Sequence, residues 1–146
     1  MAGAVRMRPP VSSDAAALAG LAAELGYRTS PEALLGRLAT LHPTDAAVLV
    51  AADGDEIPIG WCHVEMRRTL IEPLSALIVG LVVGEGHRSA GIGRELLMAA
   101  EDWARTRECR RLLVATRITR ERAHRFYARE GFAVDKTSYF LSKSLD

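Results

Sequence analysis

The chain has 146 residues, nearly half of them apolar, which is the size of one domain with a substantial core. Its formal net charge is +1, so nothing in the overall balance points to nucleic acid or a membrane surface. Cys62 and Cys109 are its only cysteines; they suggest neither a disulfide framework nor a CxxC metal site, and inert thiols in a reducing compartment are the expectation. The N-terminus MAGAVRMRPP lacks the apolar core of a signal peptide, and no stretch approaches a membrane span. A soluble cytoplasmic protein is expected.

Residues 4–8 (AVRMR) alternate apolar and charged and read as a first strand, stopped by Pro9 and Pro10. Ser12 or Ser13 can cap the helix that follows, with Asp14 in its first turn and Gly26 at its end. Leu18, Leu21, Ala22 and Leu25 share its apolar face. Ser30-Pro31-Glu32 supplies a cap, a proline at the first helical position and an acid in the first turn, so a second helix is predicted, closed by Pro43. Residues 46–52 (AAVLVAA) read as a buried strand. Asp53-Gly54-Asp55 is a turn, and residues 59–66 (IGWCHVEM) return as a hairpin partner. Residues 76–83 (ALIVGLVV) are the most continuously apolar run and predict a central strand covered on both faces, with a bulge at Gly80. A helix with Ile92, Leu96, Ala99, Ala100 and Trp103 on one face follows. Residues 111–116 (RLLVAT) read as a strand. Thr119 can cap a last helix that ends at Gly131, and residues 133–134 and 138–142 read as short final strands. Nothing marks an internal boundary, so a single domain over residues 1–146 is expected. Its order, β-α-α-β-β-β-α-β-α-β, describes an α/β fold, a mixed central sheet with helices on both faces.

The centre of this pattern is LVVGEGHRSAGIGRELL, residues 81–97, in which four glycines separate an apolar strand from an amphipathic helix. A strand, a glycine-rich turn and a helix N-terminus make a site for anionic phosphate, because the first helical N–H groups are unpaired and that end carries partial positive charge. A Walker loop would end in Gly-Lys-Ser/Thr, but Gly93 is followed by Arg94 and Glu95. The dinucleotide fingerprint GxGxxG fails as well, at Ser89 and at Leu96. What remains is Arg88-Ser89-Ala90-Gly91-Ile92-Gly93, an RxxGxG turn. It resembles the acyl-CoA pyrophosphate loop of the Gcn5-related N-acetyltransferases (GNAT). Residues 123–132, AHRFYAREGF, resemble the second signature of that family, AxxFYxxxGF. Packing alone accounts for much of this segment, since Ala123, Phe126, Tyr127 and Glu130 fall on one helix side.

The resemblance implies the GNAT fold, in which the strand of residues 76–83 and the next one splay apart to admit acyl-CoA. It implies an acetyl-CoA-dependent N-acetyltransferase acting on a primary amine, a small molecule ahead of a protein lysine or N-terminus, by direct attack in a ternary complex. Acetyl-CoA is the acyl donor and no metal is needed. Leu81, Val82 and Val83 then face the acyl end, with a backbone N–H from this strand stabilising the oxyanion. The pyrophosphate lies on the N–H groups of His87, Arg88, Ser89, Ala90, Gly91, Ile92, Gly93 and Arg94, with Arg88 adding charge. Phe126 packs beside the donor, and Tyr127 is the general acid for the departing thiolate.

The general base has no family position filled by a carboxylate: the usual places read Val79 and Gly80. His63 and Glu65, which share a strand face, or Glu72 in the connection are the candidates, beside deprotonation through water or an acceptor amine of low pKa. Arg120 stands where many relatives have asparagine. Nine arginines between Arg105 and Arg129 face only Glu108 and Glu121, so Arg120, Arg122 or Arg125 could meet the 3′-phosphate of CoA. Relatives often dimerise, so a homodimer is expected, and neither nucleic acid nor membrane is expected as a partner. The rival from another class is an acyl-CoA-binding regulatory module without turnover, which the missing strand carboxylate favours and Tyr127 opposes.

Overall fold

The structure, a computed structural model, describes residues 4–146. They divide into two compact units, one ending at Ala115 and one running from Thr116 to Asp146.

The first unit is built on a five-stranded sheet of order β1-β2-β3-β4-β5: β1 (Arg6–Arg8), β2 (Ala46–Ala52), β3 (Pro58–Arg67), β4 (Ser75–Val83) and β5 (Arg111–Val114). The first four are antiparallel, and β5 joins β4 in parallel, so the sheet is mixed as expected. The β2–β3 turn is closed by Asp53, whose Oδ1 accepts the N–H groups of Asp55 and Ile57 at 2.9 and 3.0 Å. Three helices accompany the sheet: α1 (Ala15–Glu24), α2 (Pro31–Thr40) and α3 (Ile92–Thr106). Neighbouring residues of a strand point to opposite faces. Trp61 donates its Nε1–H to the Leu18 carbonyl on α1 at 3.3 Å, whereas a Cβ on Gly60 would lie 3.2 Å from Leu96 on α3. Helices α1 and α3 therefore cover opposite faces of the sheet.

Several helix ends follow their sequence signals. The Ser30 hydroxyl accepts the Ala33 N–H at 3.1 Å, with Pro31 in the first turn of α2. Gly26 takes φ +99° after α1, and Tyr27 N–H returns to the Ala22 carbonyl at 3.0 Å. The start of α1 differs from expectation. Residues 12–14 form a 3-10 turn, and Asp14, rather than Ser12 or Ser13, holds the cap position. Its buried carboxylate accepts the Val11 N–H at 2.8 Å and pairs with Arg8 at 2.8 and 3.0 Å. The Asp14 carboxylate thus serves Arg8 on β1 and the Val11 N–H, and makes no side-chain bond to the N–H groups of α1.

The expected bulge in β4 is present beside Gly80. His63 pairs with Gly80 and Val64 with Ile78, so the extra residue is Val79, which is half exposed. Gly80 is glycine for space: a Cβ there would lie 2.9 Å from the Trp61 ring. Coverage of β4 is accordingly incomplete around Val79. On α3 the buried residues are Ile92, Leu96, Leu97, Ala100 and Ala104. Trp103, expected in the core, lies instead under the Arg107 guanidinium, 4.2 Å from its ring centroid.

The second unit holds α4 (Glu121–Arg129). Arg120, rather than Thr119, occupies its N-cap. Gly131 takes φ +95°, and the N–H groups of Gly131 and Phe132 bond the carbonyls of Ala128 and Tyr127 at 3.2 and 2.9 Å. Residues 133–146 carry no strand, contrary to expectation for 133–134 and 138–142. A strand is stabilised by the ladder it joins, and no ladder is formed here.

Candidate functional site

Strand β4 outruns its neighbour. Residues Ser75, Ala76, Leu77 and Ile78 pair with β5, which ends at Val114, while β4 continues to Val83. Beyond Ile78 its outer edge has no strand partner among the described residues, and this is the splay anticipated from the motif. Leu81 and Val83 are half-buried here, and Val82 is buried.

The glycine loop follows directly. Gly84 is buried against α1, where its Cβ would stand 3.4 Å from Leu21. A short 3-10 turn covers Glu85, Gly86 and His87. Ser89 and Gly91 both have positive φ, +69° and +82°, and Gly91 caps α3. The first helical hydrogen bond runs from Glu95 N–H to the Gly91 carbonyl at 3.1 Å. N–H groups before it point out of the helix end toward the loop, which is the anion-receiving geometry. Arg88 is half-buried. Its Nε donates to the Val83 carbonyl at 3.2 Å, and its Nη2 lies 3.5 Å from Glu24 Oε1. The same Glu24 oxygen accepts the Glu85 N–H at 2.8 Å. Sequence reasoning did not single out Glu24; an acid near a helix end carries no signal of its own.

His63 lies on β3 between Val48 and Gly80 on the neighbouring strands. Its Nε2 is buried without a hydrogen-bond partner. Burial pushes its pKa below the ordinary 6.5, and the charge of nearby Glu65 works in the other direction. Glu72 is held elsewhere, 3.5 Å from Arg111 on β5. Cys62, next to His63 on β3, is buried, and desolvation pushes its thiol up to about 12, so it is inert at neutral pH. Cys109 sits 3.4 Å from the Met66 sulfur.

In the second unit, Tyr127 and Phe126 lie on α4, both half-buried, their ring centroids 5.0 Å apart edge to face. Tyr127 makes a similar contact with Phe132 at 5.4 Å, so the motif's three aromatic rings form one cluster closed by the Gly131 turn. Arg125 pairs with Glu121 at 4.0 Å. Among the described residues, no group of three or more His, Cys, Asp or Glu could hold a metal ion. Among the described residues, no helix is long and apolar enough to cross a membrane.

The profile of the acetyltransferase (GNAT) family matches residues 15–132, which include the splayed strand, the glycine loop and the α4 aromatic cluster. The chain belongs to the GNAT acetyltransferase family. Its membership makes it an N-acetyltransferase, transferring acetyl to an amine, and acetyl-CoA is the expected donor. It is 29% identical over 146 residues to the aminoglycoside N(6′)-acetyltransferase type 1 of Stenotrophomonas maltophilia, with 96% of this chain and 94% of the relative covered. Among solved structures it is similar to an aminoglycoside antibiotic 6′-N-acetyltransferase of Acinetobacter baumannii, with a TM-score of 0.83 at 16% identity over 98% of this chain and all of the other. A transcriptional regulator of Bacillus halodurans C-125 gives a TM-score of 0.84 at 21% identity, covering 96% of this chain and all of that one. The two structural likenesses speak for the fold.

Proposed function

We propose that this GNAT enzyme acetylates a primary amine of a small molecule by direct attack in a ternary complex with acetyl-CoA. The observation that carries the reading is the unpaired edge of β4 beyond Ile78, running straight into the glycine loop and the start of α3. In this reading the pantetheine amides pair with the β4 edge at Leu81, Val82 and Val83, and the pyrophosphate rests on N–H groups of residues 87–94. The relative of Stenotrophomonas maltophilia, an aminoglycoside acetyltransferase by name, supports a small-molecule acceptor over a protein one.

The acceptor ammonium must first lose a proton, since a simple amine has a pKa near ~10. His63 is the favoured base because its buried Nε2 has no other partner and stays neutral at pH 7. Glu72 is the weaker candidate because Arg111 already engages it. The amine nitrogen attacks the thioester carbonyl, and the oxyanion meets a backbone N–H of β4. The C–S bond then breaks as Tyr127 protonates the leaving sulfur, the second proton of the attacking nitrogen passes to the Tyr127 oxygen, and the neutral amide and CoA thiol depart. No metal takes part. We further propose that residues 1–146 act as one domain, in the cytoplasm and as a homodimer, without nucleic-acid or membrane partners.

The test is thiol release from acetyl-CoA with a panel of small amines, aminoglycosides and lysine peptides. Turnover on a small amine is expected. Tyr127→Phe should keep acetyl-CoA affinity and lose about 10²–10⁴-fold in kcat, because the ring packing persists and only the proton donor goes. Near wild-type kcat in this variant would leave Tyr127 a packing residue. Preference for a peptide would overturn the small-molecule reading, and acetyl-CoA binding with no turnover on any acceptor would favour a regulatory module.

A further inference from the structure

Helix α1 and the donor loop are joined at two positions one helical turn apart. Leu21 packs where Gly84 has no side chain, and Glu24 accepts the Glu85 N–H at 2.8 Å. Arg88 closes the circuit: its Nη2 faces the same Glu24 oxygen at 3.5 Å, while its Nε holds the Val83 carbonyl at 3.2 Å. Glu24, Glu85, Arg88 and Val83 thus form a clasp from the end of α1, across the loop's stem, to the last residue of β4. Glu24 and Arg88 are each about one-third exposed, so water only partly screens their attraction.

The loop needs such a clasp. Its two ends are marked by the His87 N–H bond to the Gly84 carbonyl at 2.8 Å and the Glu95 N–H bond to the Gly91 carbonyl at 3.1 Å. Within that span Ser89, which is not a glycine, sits at φ +69°, a conformation that persists only when its surroundings impose it. A loop that must be ordered on binding loses affinity to that ordering, and one already ordered does not.

We propose that Glu24 is a positioning residue for acetyl-CoA: through Arg88 and the Glu85 N–H it fixes the glycine loop in the conformation that receives the pyrophosphate. The inference rests on the reading of residues 87–94 as the donor loop. Glu85 precedes that segment, so Glu24 grips the stem and does not occupy the N–H groups at the start of α3. A carboxylate acting as an internal competitor of the pyrophosphate would give an effect of the opposite sign.

Calorimetric titration with acetyl-CoA tests the proposal on the full chain. Glu24→Ala removes both the Glu85 N–H bond and the Arg88 pairing and should weaken binding about tenfold. Glu24→Gln should weaken it about threefold, because its amide oxygen still accepts the Glu85 N–H but offers Arg88 no charge. The KM for acetyl-CoA should rise in step, while kcat at saturating acetyl-CoA and the KM for the amine stay at wild-type values. The melting temperature without ligand should hardly move, which separates positioning from general support of the fold. Unchanged or tighter binding by Glu24→Ala overturns the proposal, as does an equal fall in kcat at saturation. Should Glu24→Ala not fold, Glu24→Gln decides alone, and wild-type affinity there overturns it. Gly91→Val tells the two readings apart. If it binds acetyl-CoA as the wild type does, the donor-loop reading itself fails; if it loses binding while Glu24→Ala does not, only the clasp fails.

Discussion

A single histidine shows how far a residue's chemistry depends on strands other than its own. The alternation of residues 59–66 put His63 and Glu65 on one face, but only the register sets His63 between Val48 and Gly80. Gly80 offers no side chain there, and the buried Nε2 is left unpartnered. Burial favours the neutral ring, so the folded pKa falls below 6.5, and Glu65 opposes this without reversing it. A base works when deprotonated. If His63 is that base, kcat/KM should therefore be level near pH 7 and fall only at a pH below 6.5. His63→Gln should abolish this acid limb and lower kcat about 10²-fold. The measurement is a pH–rate profile of both proteins. An unaltered limb in the variant would assign the proton to another group or to water. The bulge beside Gly80 was legible in the sequence, whereas the close neighbour of Gly80 was not. A glycine inside a strand signals either a bulge or a close neighbour, and here Val79 takes the bulge while the Trp61 ring is the neighbour.

Elements announced themselves wherever their signal was local. Ser30-Pro31-Glu32, the Gly26 and Gly131 helix ends and the RxxGxG turn all adopt the anticipated conformations, because caps and positive φ are settled within a few residues. Signals settled at a distance were missed. Trp103 leaves the core of α3 for Arg107, and the cap position of α1 falls on Asp14, whose carboxylate Arg8 on β1 reaches. That last pair ties β1 to α1 and carries a testable pH dependence. The Arg8 hydrogen bond, with help from the Val11 N–H, holds the Asp14 carboxyl below its ordinary value against the cost of burial. A carboxylate whose folded pKa is depressed contributes its stability above the unfolded value, about 4, and loses it as pH falls through the folded pKa. Asp14→Asn leaves Arg8 paired with Glu56 alone and should cost about 2 kcal/mol at pH 7, the loss of a charge-assisted hydrogen bond. Denaturant titrations of both proteins should converge as pH drops below about 4. A gap that stays constant down to pH 2 would show that the charge of Asp14 is not what stabilises the junction.

At the scale of the whole molecule, family membership explains how one sheet serves chemistry at its middle: β5 stops at Val114 while β4 goes on to Val83. The pattern of apolar runs predicted the strands but not where β5 would stop, since strand length is fixed by pairing and not by composition. The same reasoning applies to residues 133–146. Their alternation reads as strand, yet Val134, Tyr139, Phe140, Leu141 and Leu145 are each at least 90% exposed. Our proposal of a homodimer assigns a second copy as the cover. Fully burying a side chain of this kind gains about 1.5–3 kcal/mol. Three from each of two chains would give about 9–18 kcal/mol, against an association cost of about 4–15 kcal/mol. The two ranges overlap, so the gain largely offsets the cost and the dimer should dissociate on dilution. Light scattering should accordingly give twice the 15.9 kDa chain mass at high micromolar concentration and fall toward the chain mass on dilution. Phe140→Asp, which sets a charge on this surface, should give the chain mass throughout while the melting temperature of the diluted protein is unchanged. A wild-type chain that keeps the monomer mass at high micromolar concentration would refute the dimer.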